Sequence, residues 1–288
     1  MEDVVTLQHV NKAYKDFALK DISFSVKKGY ITGFIGPNGA GKTTTIKLML
    51  NLLEADSGSI NVFGHNYLGH VNDIKQRIGF IYADHHLYGH LTIEKMKRVL
   101  APFYKNWDDQ VFAEYVERLQ LPWTKKIGHL SKGMGTKLSI AIALSHHADL
   151  IILDEPTSGL DPISRREILE LLTEVIQDEE KTVFFSTHIT TDLEQIADYI
   201  TFIDQGSIVF SESKESITER YYLVRGANEL LDKDIRSLFV QVRQTSVGFE
   251  GLTNQAELVR RLMEDHVVME RASLEDIMVY TVGKRKEE

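Results

Sequence analysis

The pattern of apolar residues along this chain predicts an alternation of β-strands and α-helices. Residues 22–26 alternate between apolar and polar positions, which is typical of a half-buried strand, whereas residues 31–35 and 150–153 form apolar runs. Runs of this kind are typical of strands that are buried on both faces of a sheet. Apolar residues recur at helical spacing after each run, over residues 42–53 and 162–176. This order predicts an α/β fold.

The composition changes near residue 212, which predicts a boundary between two domains, 1–212 and 213–288. The second domain mixes both kinds of pattern, with a strand predicted at 238–242, a helix predicted at 256–263 and a capped helix start at 273–277. We therefore expect a small α+β appendage with an accessory or dimerisation role.

A glycine-rich loop connects the predicted strand at 31–35 to the helix that follows it. The loop matches the phosphate-binding pattern G-x-x-x-x-G-K-[ST] in the strand–loop–helix context that this pattern requires. Glycines let backbone N–H groups turn inward, and the positive end of the helix completes an anion cradle. Lys42 would reach the β- and γ-phosphates, and the Thr43 hydroxyl would hold Mg²⁺. A nucleoside triphosphate is therefore expected to bind at Gly36, Asn38, Gly39, Ala40, Gly41, Lys42, Thr43 and Thr44.

Two further buried strands end in polar residues. Asp154 and Glu155 follow the second apolar run, and His188 follows a predicted strand at 182–186. Ligands of open α/β sheets bind at the carboxyl ends of strands, so we expect these side chains beside the glycine loop. Tyr14 lies between the first two strands, where it either stacks on a nucleotide base or packs on the surface.

The bulk composition narrows the possible functions. A net charge of −9 argues against nucleic acid as the main partner, and the absence of cysteine excludes disulfides and thiolate metal sites. No stretch approaches the ~20 consecutive apolar residues of a membrane span, and the acidic N-terminus has no secretory signal, so any membrane span would come from a partner. The spacing of seven histidines matches no metal-ligand pattern: His65, His70, His85, His86, His90, His146 and His147.

Three further motifs follow the glycine loop in a fixed order: LSKGM at 130–134, LIILDEPTSGLDP at 150–162 and FFSTH at 184–188. In this order and spacing they resemble the ATP-binding subunits of ABC transporters, over about residues 4–210. The resemblance implies a P-loop NTPase cassette, with a RecA-like core, an antiparallel β subdomain and a helical subdomain at about 84–147.

The resemblance also implies roles for single residues. Tyr14 matches the aromatic that stacks on adenine, and Asp154 the aspartate that holds Mg²⁺ through water. Glu155 matches the catalytic carboxylate that polarises the attacking water. His188 matches the switch histidine that contacts the γ-phosphate, and Lys42 completes the catalytic set. These parts suffice for phosphoryl transfer, which needs charge neutralisation and an in-line water.

The LSKGM segment resembles the signature motif of the family. Ser131 and Gly133 match the residues that bind the γ-phosphate held by another subunit, and residues 158–161 match the D-loop, which crosses between subunits. The resemblance therefore implies that two chains, arranged head to tail, enclose two ATP molecules.

The chain departs from the family pattern at two places. The family usually has Gln where this chain has Ala83, which cannot bind Mg²⁺ or hydrogen-bond water; either Asp84 replaces it or the loop has no metal role. Lys132 and Met134 replace the usual Gly and Gln of the signature motif.

Lys132-Gly133-Met134, the appendage and its Ser-Leu-Glu-Asp-Ile ending resemble the ABC-2-type exporter branch, including the ATPases of staphylococcal exporters of phenol-soluble modulins. This implies an ABC-2-type permease, a second identical or related ATP-binding subunit, a peptide or drug as cargo, and a place at the cytoplasmic face of the membrane. The helical insert would receive the permease in a groove, although its candidate residues also suit an ordinary core: Leu87, Tyr88, Leu91 and Trp107.

Two other functions use the same motifs. One is a soluble ABC ATPase that acts on DNA or ribosomes; those relatives have a long coiled-coil insertion or two cassettes in one chain, and this sequence has neither. The other is a regulator that binds ATP with little hydrolysis. Glu155 and His188 argue against this regulator, whereas Ala83 leaves it open as an alternative.

Overall fold

The computed structural model describes residues 2–82 and 87–287, and the chain divides into two compact units, Met1–Ser211 and Glu212–Glu288. Ala83, Asp84, His85 and His86, and with them the expectation for Asp84, lie outside the described residues. Within the described residues, no helix combines the length and the apolar character needed to cross a membrane.

The first unit alternates strands and helices. Its strands are β1 Asp3–Ala13, β2 Ala18–Lys27, β3 Ile31–Ile35, β4 Ser57–Val62, β5 Ile78–Ile81, β6 Leu150–Asp154, β7 Thr182–Thr187, β8 Tyr199–Asp204 and β9 Ser207–Ser213. Its helices are α1 Lys42–Met49, α2 Val71–Gln76, α3 Ile93–Leu100, α4 Asp109–Arg118, α5 Lys132–Ser145, α6 Pro162–Val175 and α7 Thr190–Ile196. Helices α2 and α7 were not predicted from the sequence.

The main sheet has the strand order β5-β6-β7-β3-β8-β9, and the pairs from β5 to β8 are parallel. Every residue of β3, β6 and β7 is buried, which explains their mainly apolar sequences. In register, Ile35 lies beside Thr187 and Asp154 lies beside Ser186. The glycine loop, Asp154 and Thr187 therefore meet at one edge of the sheet.

A second sheet, β2-β1-β4, is antiparallel and shares its core with the main sheet. Phe24 of β2 stacks on Phe34 of β3, with ring centroids 5.5 Å apart, and on Phe184 of β7 at 6.0 Å. Each aromatic stack of this kind contributes about 1 kcal/mol beyond the area it buries. The parallel core with an antiparallel β subdomain confirms the predicted fold class.

Helices α3, α4 and α5 enclose a separate apolar cluster that contains Ile93, Phe112 and Leu138. Pro102 lies in the 3-10 turn that follows α3, and Asp108 caps α4 through its side chain. Among the candidates for a permease groove, Leu87, Leu91 and Trp107 pack against this cluster, whereas Tyr88 is exposed.

The second unit is an antiparallel sheet, β11-β12-β10-β13, with helices. Its elements are α8 Lys214–Arg220, β10 Tyr222–Gly226, α9 Lys233–Arg236, β11 Gln241–Thr245, β12 Gly248–Thr253, α10 Ala256–Met263, β13 Val267–Arg271 and α11 Leu274–Glu287. The strand predicted at 238–242 was misplaced, because Leu238 and Phe239 are core residues that precede β11. The helix at Ala256–Met263 was predicted correctly, and Ser273 and Asp276 form the expected cap of α11.

Candidate active site

The glycine loop between β3 and α1 has a backbone that requires glycine. Gly39 and Gly41 have φ angles of 82° and 114°, in the left-handed region that glycine adopts without a steric penalty. A Cβ atom on Gly41 would lie 2.5 Å from Leu19 Cδ2, and one on Gly36 would lie 2.2 Å from the Ile203 carbonyl oxygen. The loop is therefore packed tightly from behind.

The N-terminus of α1 opens toward the same loop. Within the described part of the chain, the N–H groups of Lys42, Thr43 and Thr44 have no hydrogen-bond acceptor. Ala40 holds the loop in place, since its N–H donates to Pro37 O (3.1 Å) and its carbonyl accepts from Gly206 N–H (3.0 Å). Backbone N–H groups that have no acceptor at a helix N-terminus are well placed to bind an anion.

Lys42 is buried, with 6% of its surface exposed. Its ammonium donates to Gly36 O at 2.7 Å and lies 3.2 Å from Glu155 Oε1. The cation therefore links the glycine loop to the carboxylate that follows β6.

The Thr43 hydroxyl and the Asp154 carboxylate lie next to each other. The Thr43 hydroxyl donates to Asp154 Oδ2 at 2.8 Å, and the Ser186 hydroxyl donates to Asp154 Oδ1 at 2.6 Å. Hydroxyl and carboxylate oxygens are the ligands that Mg²⁺ prefers, and phosphates usually complete its octahedron. The donor set thus fits Mg²⁺ in contact with a bound nucleotide.

Glu155 has a φ of 53°, unusual for a residue with a Cβ, and its N–H donates to Ser186 O at 3.0 Å. Its Oε2 accepts from His188 Nδ1 at 2.7 Å. Because an ionised carboxylate only accepts hydrogen bonds, this contact assigns a proton to Nδ1. Strained backbone of this kind is concentrated at functional sites.

One cleft of about 760 Å³, a volume within the range of small-molecule sites, is lined by Lys42, Thr43, Glu155 and His188, whereas Asp154 is not among its lining residues. The predicted residues among its lining are Asn38, Gly39, Gly41, Lys42, Thr43, Thr44, Glu155 and His188. The cleft also includes Asp16, Phe17, Lys132 and Ser158, which the sequence reasoning did not assign to it.

Tyr14 is not among the described lining residues of the cleft, whereas Phe17 is. Tyr14 is 47% exposed, and its N–H donates to Phe17 O at 2.7 Å, so the two aromatics belong to one tight turn. The turn was recognisable from the sequence, but which of its rings faces the cleft depends on the turn geometry.

The signature residues Ser131 and Gly133 lie outside this lining. The Ser131 hydroxyl caps α5 by accepting from Met134 N–H at 3.2 Å. Gly133 packs against α6, where a Cβ would lie 3.0 Å from Ser164 Cβ. Ser131 and Gly133 are therefore not lining residues of the cleft, although Lys132, which lies between them at the start of α5, is one.

Comparison with known proteins finds relatives over the whole chain. A sequence model of the family described as ABC transporter matches residues 19–158. The bacitracin transport ATP-binding protein BcrA of Bacillus licheniformis is 31% identical, over 98% of this chain and 98% of its own length. The linearmycin resistance ATP-binding protein LnrL of Bacillus subtilis is 35% identical, over 80% of this chain and 78% of its own.

The fold agrees with these sequence matches. The solved structure of an ATP-binding subunit of an ABC transporter superposes with a TM-score of 0.66 and 26% identity, covering 75% of this chain and 92% of that one.

Proposed function

Because this chain belongs to the ATP-binding subunits of ABC transporters, we propose that it powers the export of a peptide or drug through a separate ABC-2-type permease. The chain is an ABC ATPase, and subunits of this family dimerise and work with a transmembrane permease. Three contacts of 2.7–3.2 Å at one sheet edge carry the proposal. They pair Lys42 with Glu155, Glu155 with His188, and Thr43 with Asp154.

ATP binding is assigned to the glycine loop. The N–H groups at the start of α1 would cradle the phosphates. Lys42 would neutralise charge on the β- and γ-phosphates, and its ammonium would then donate to phosphate oxygens in place of the loop carbonyls. Thr43 and Asp154 would hold Mg²⁺, which neutralises the charge that develops on the phosphates. Phe17 lines the cleft and offers a ring for the adenine, and Tyr14 is the alternative at the same turn.

Hydrolysis is assigned to Glu155 and His188. The Glu155 carboxylate would orient and deprotonate the attacking water, and the hydrogen bond from His188 Nδ1 holds this carboxylate in place. The opposite ring nitrogen, Nε2, would contact the γ-phosphate. Both residues follow buried strands, which place them at the same edge of the sheet.

The dimer completes the site in this proposal. Ser131 and Gly133 lie at the N-terminus of α5 and outside their own cleft, which suits contact with the γ-phosphate of a second subunit. That subunit would be an identical chain or a related ATPase. The second unit, 212–288, would act as an accessory or dimerisation domain.

The cargo class is inferred from the relatives, whose names refer to bacitracin transport and linearmycin resistance. A peptide or drug is the cargo that fits both names. The permease would supply the membrane spans, and the ATPase would lie at the cytoplasmic face of the membrane.

The test is the ATPase rate of the purified protein and of Glu155→Gln, together with the mass of each in ATP and Mg²⁺. We expect Glu155→Gln to lose at least a hundredfold in turnover, because the amide cannot accept the proton, and to accumulate as a dimer. A Glu155→Gln variant with the wild-type rate would contradict the assignment of the base. A variant that stays monomeric in ATP with its permease present would contradict the shared site.

A further inference from the structure

A fully buried carboxylate, Asp192, lies outside the catalytic set described above. None of its surface is exposed, and both of its oxygens have partners. Oδ2 accepts from the Thr157 hydroxyl at 2.6 Å, and Oδ1 accepts from Arg165 Nε at 2.5 Å. A carboxylate is costly to bury, and well-aligned partners such as these offset that cost.

The partners of Asp192 lie on two other elements. Thr157 is 1% exposed and stands two residues after Glu155, at the start of the loop that leads to α6. Arg165 lies in the first turn of α6, and its Nη2 donates to the Thr191 hydroxyl at 2.7 Å. Asp192 therefore joins the loop 156–161, α6 and α7 at one point.

Asp192 is also tied to the switch histidine by a short stretch of backbone. Helix α7 begins two residues after His188, and Asp192 lies in its first turn, where its N–H donates to Ile189 O at 3.3 Å. Ile189 N–H in turn donates to the Thr187 hydroxyl at 3.0 Å. These two bonds connect the first turn of α7 to the backbone on both sides of His188.

The loop 156–161, which Asp192 contacts through Thr157, reaches the cleft. Thr157 is followed by Ser158, which lines the cleft, and by Gly159, which has a φ of 70°. Thr157 O accepts from Leu160 N–H at 3.2 Å, so the position of Thr157 fixes the turn that presents Ser158. Packed elements of this kind transmit small shifts as discrete rearrangements.

We propose that Asp192 is a positioning residue that couples His188 to the loop 156–161. When His188 moves on contact with the γ-phosphate, Asp192 moves with α7 and carries Thr157 and Ser158 with it. The coupling rests on the proposed contact of His188 with nucleotide. It predicts that the Thr157–Asp192 hydrogen bond affects turnover rather than nucleotide affinity.

The test compares Thr157→Val, which keeps the shape and removes the hydroxyl, with Thr157→Ser, which keeps the hydroxyl. We expect Thr157→Val to lower kcat about tenfold with KM for ATP within twofold, since a misplaced loop can cost up to about a hundredfold in rate. Thr157→Ser should restore the wild-type kcat. Substitution of Asp192 itself is avoided, because it would remove the partner of both Thr157 and Arg165 at once.

A matched control is Thr182→Val, which removes another fully buried hydroxyl, the acceptor of Gly29 N–H at 3.2 Å, at the opposite end of β7 from the site. We expect it to melt at a lower temperature with kcat unchanged. The proposal is overturned if Thr157→Val keeps the wild-type kcat, if Thr157→Ser fails to rescue it, or if Thr182→Val lowers kcat equally.

A second measurement distinguishes the coupling from the proposed function. In the His188→Ala background, which already lacks the switch side chain, Thr157→Val should cause no further loss of kcat, whereas independent effects would multiply. If Glu155→Gln retains activity in the same series, the proposed function fails. If Glu155→Gln is inactive but the Thr157 and His188 effects multiply, only the coupling fails.

Discussion

Lowering the pH should destabilise this protein through His146, the residue that follows α5. The side chain is 2% exposed, its ring stacks on Tyr104 with centroids 3.9 Å apart, and its Nδ1 lies 3.3 Å from Gln76 O. Burial lowers the pKa of His146 from 6.5 to about 4. The cause is the cost of placing an imidazolium where water cannot reach it.

The sign and size follow from this pKa difference. Because the folded-state pKa of His146 is the lower one, the unfolded chain binds the proton more readily, so this stability is complete above pH 6.5 and is lost as the pH falls toward 4. Each pKa unit corresponds to about 1.4 kcal/mol, which gives a loss of about 2 kcal/mol at pH 5 and about 3 kcal/mol below pH 4.

Urea unfolding followed by tryptophan fluorescence measures this loss. Both tryptophans of the chain, Trp107 and Trp123, pack against the α3–α5 cluster, close to α5. We compare the wild type with His146→Phe, which keeps a ring on Tyr104 and cannot titrate. Between pH 7.5 and 5 the wild type should lose about 2 kcal/mol more of its free energy of unfolding than His146→Phe.

The control is His129→Gln, at an exposed position shortly before α5. This variant should lose as much stability as the wild type over this pH range. Equal losses in the wild type and His146→Phe would refute the reasoning, because the buried imidazole would then make no contribution to the pH dependence.

Three further changes test the site. Lys42→Ala should weaken ATP binding about 10- to 100-fold in titration calorimetry, since a hydrogen bond to a charged group contributes about 1.5–3 kcal/mol; unchanged affinity would remove Lys42 from the phosphate site. Gly41→Ala should lower the melting temperature more than Gly64→Ala, because both have positive φ but only Gly41 faces a clash; equal effects would refute the packing argument. Ser131→Ala should abolish dimer-dependent turnover while the ATP affinity of single chains stays within twofold; weaker binding by single chains would place Ser131 in its own cleft.

Much of the sheet, and the grouping of the candidate site residues at one of its edges, could be predicted from the sequence, because both depend on local patterns. The apolar runs of β3 and β6 follow directly from burial on both faces. The positions of Asp154 and His188 beside the glycine loop follow from the rule that parallel strands end at one edge.

The elements that were missed have weak local patterns. Helix α7 has only seven residues and no side-chain cap, and α2 has six residues. Strand β12 contains Gly248 and Gly251, which lower its strand propensity; a Cβ on Gly251 would lie 2.6 Å from Phe239 Cδ1, so tertiary packing selects the glycine.

The site contacts that were missed are long-range. Asp192 meets Thr157 across 35 positions of sequence, and nothing in the segment around either residue predicts this pairing. Phe17 and Tyr14 are both aromatic residues of one turn, and only the three-dimensional turn distinguishes their environments. Contacts of this kind depend on tertiary structure, which periodicity does not encode.

The most direct test of the exporter assignment is to purify the tagged protein from gently solubilised native membranes and to identify its partners by mass spectrometry. We expect a polytopic permease at near-equal stoichiometry with the ATPase. Recovery of ribosomal or DNA-bound partners, with no membrane protein, would contradict it.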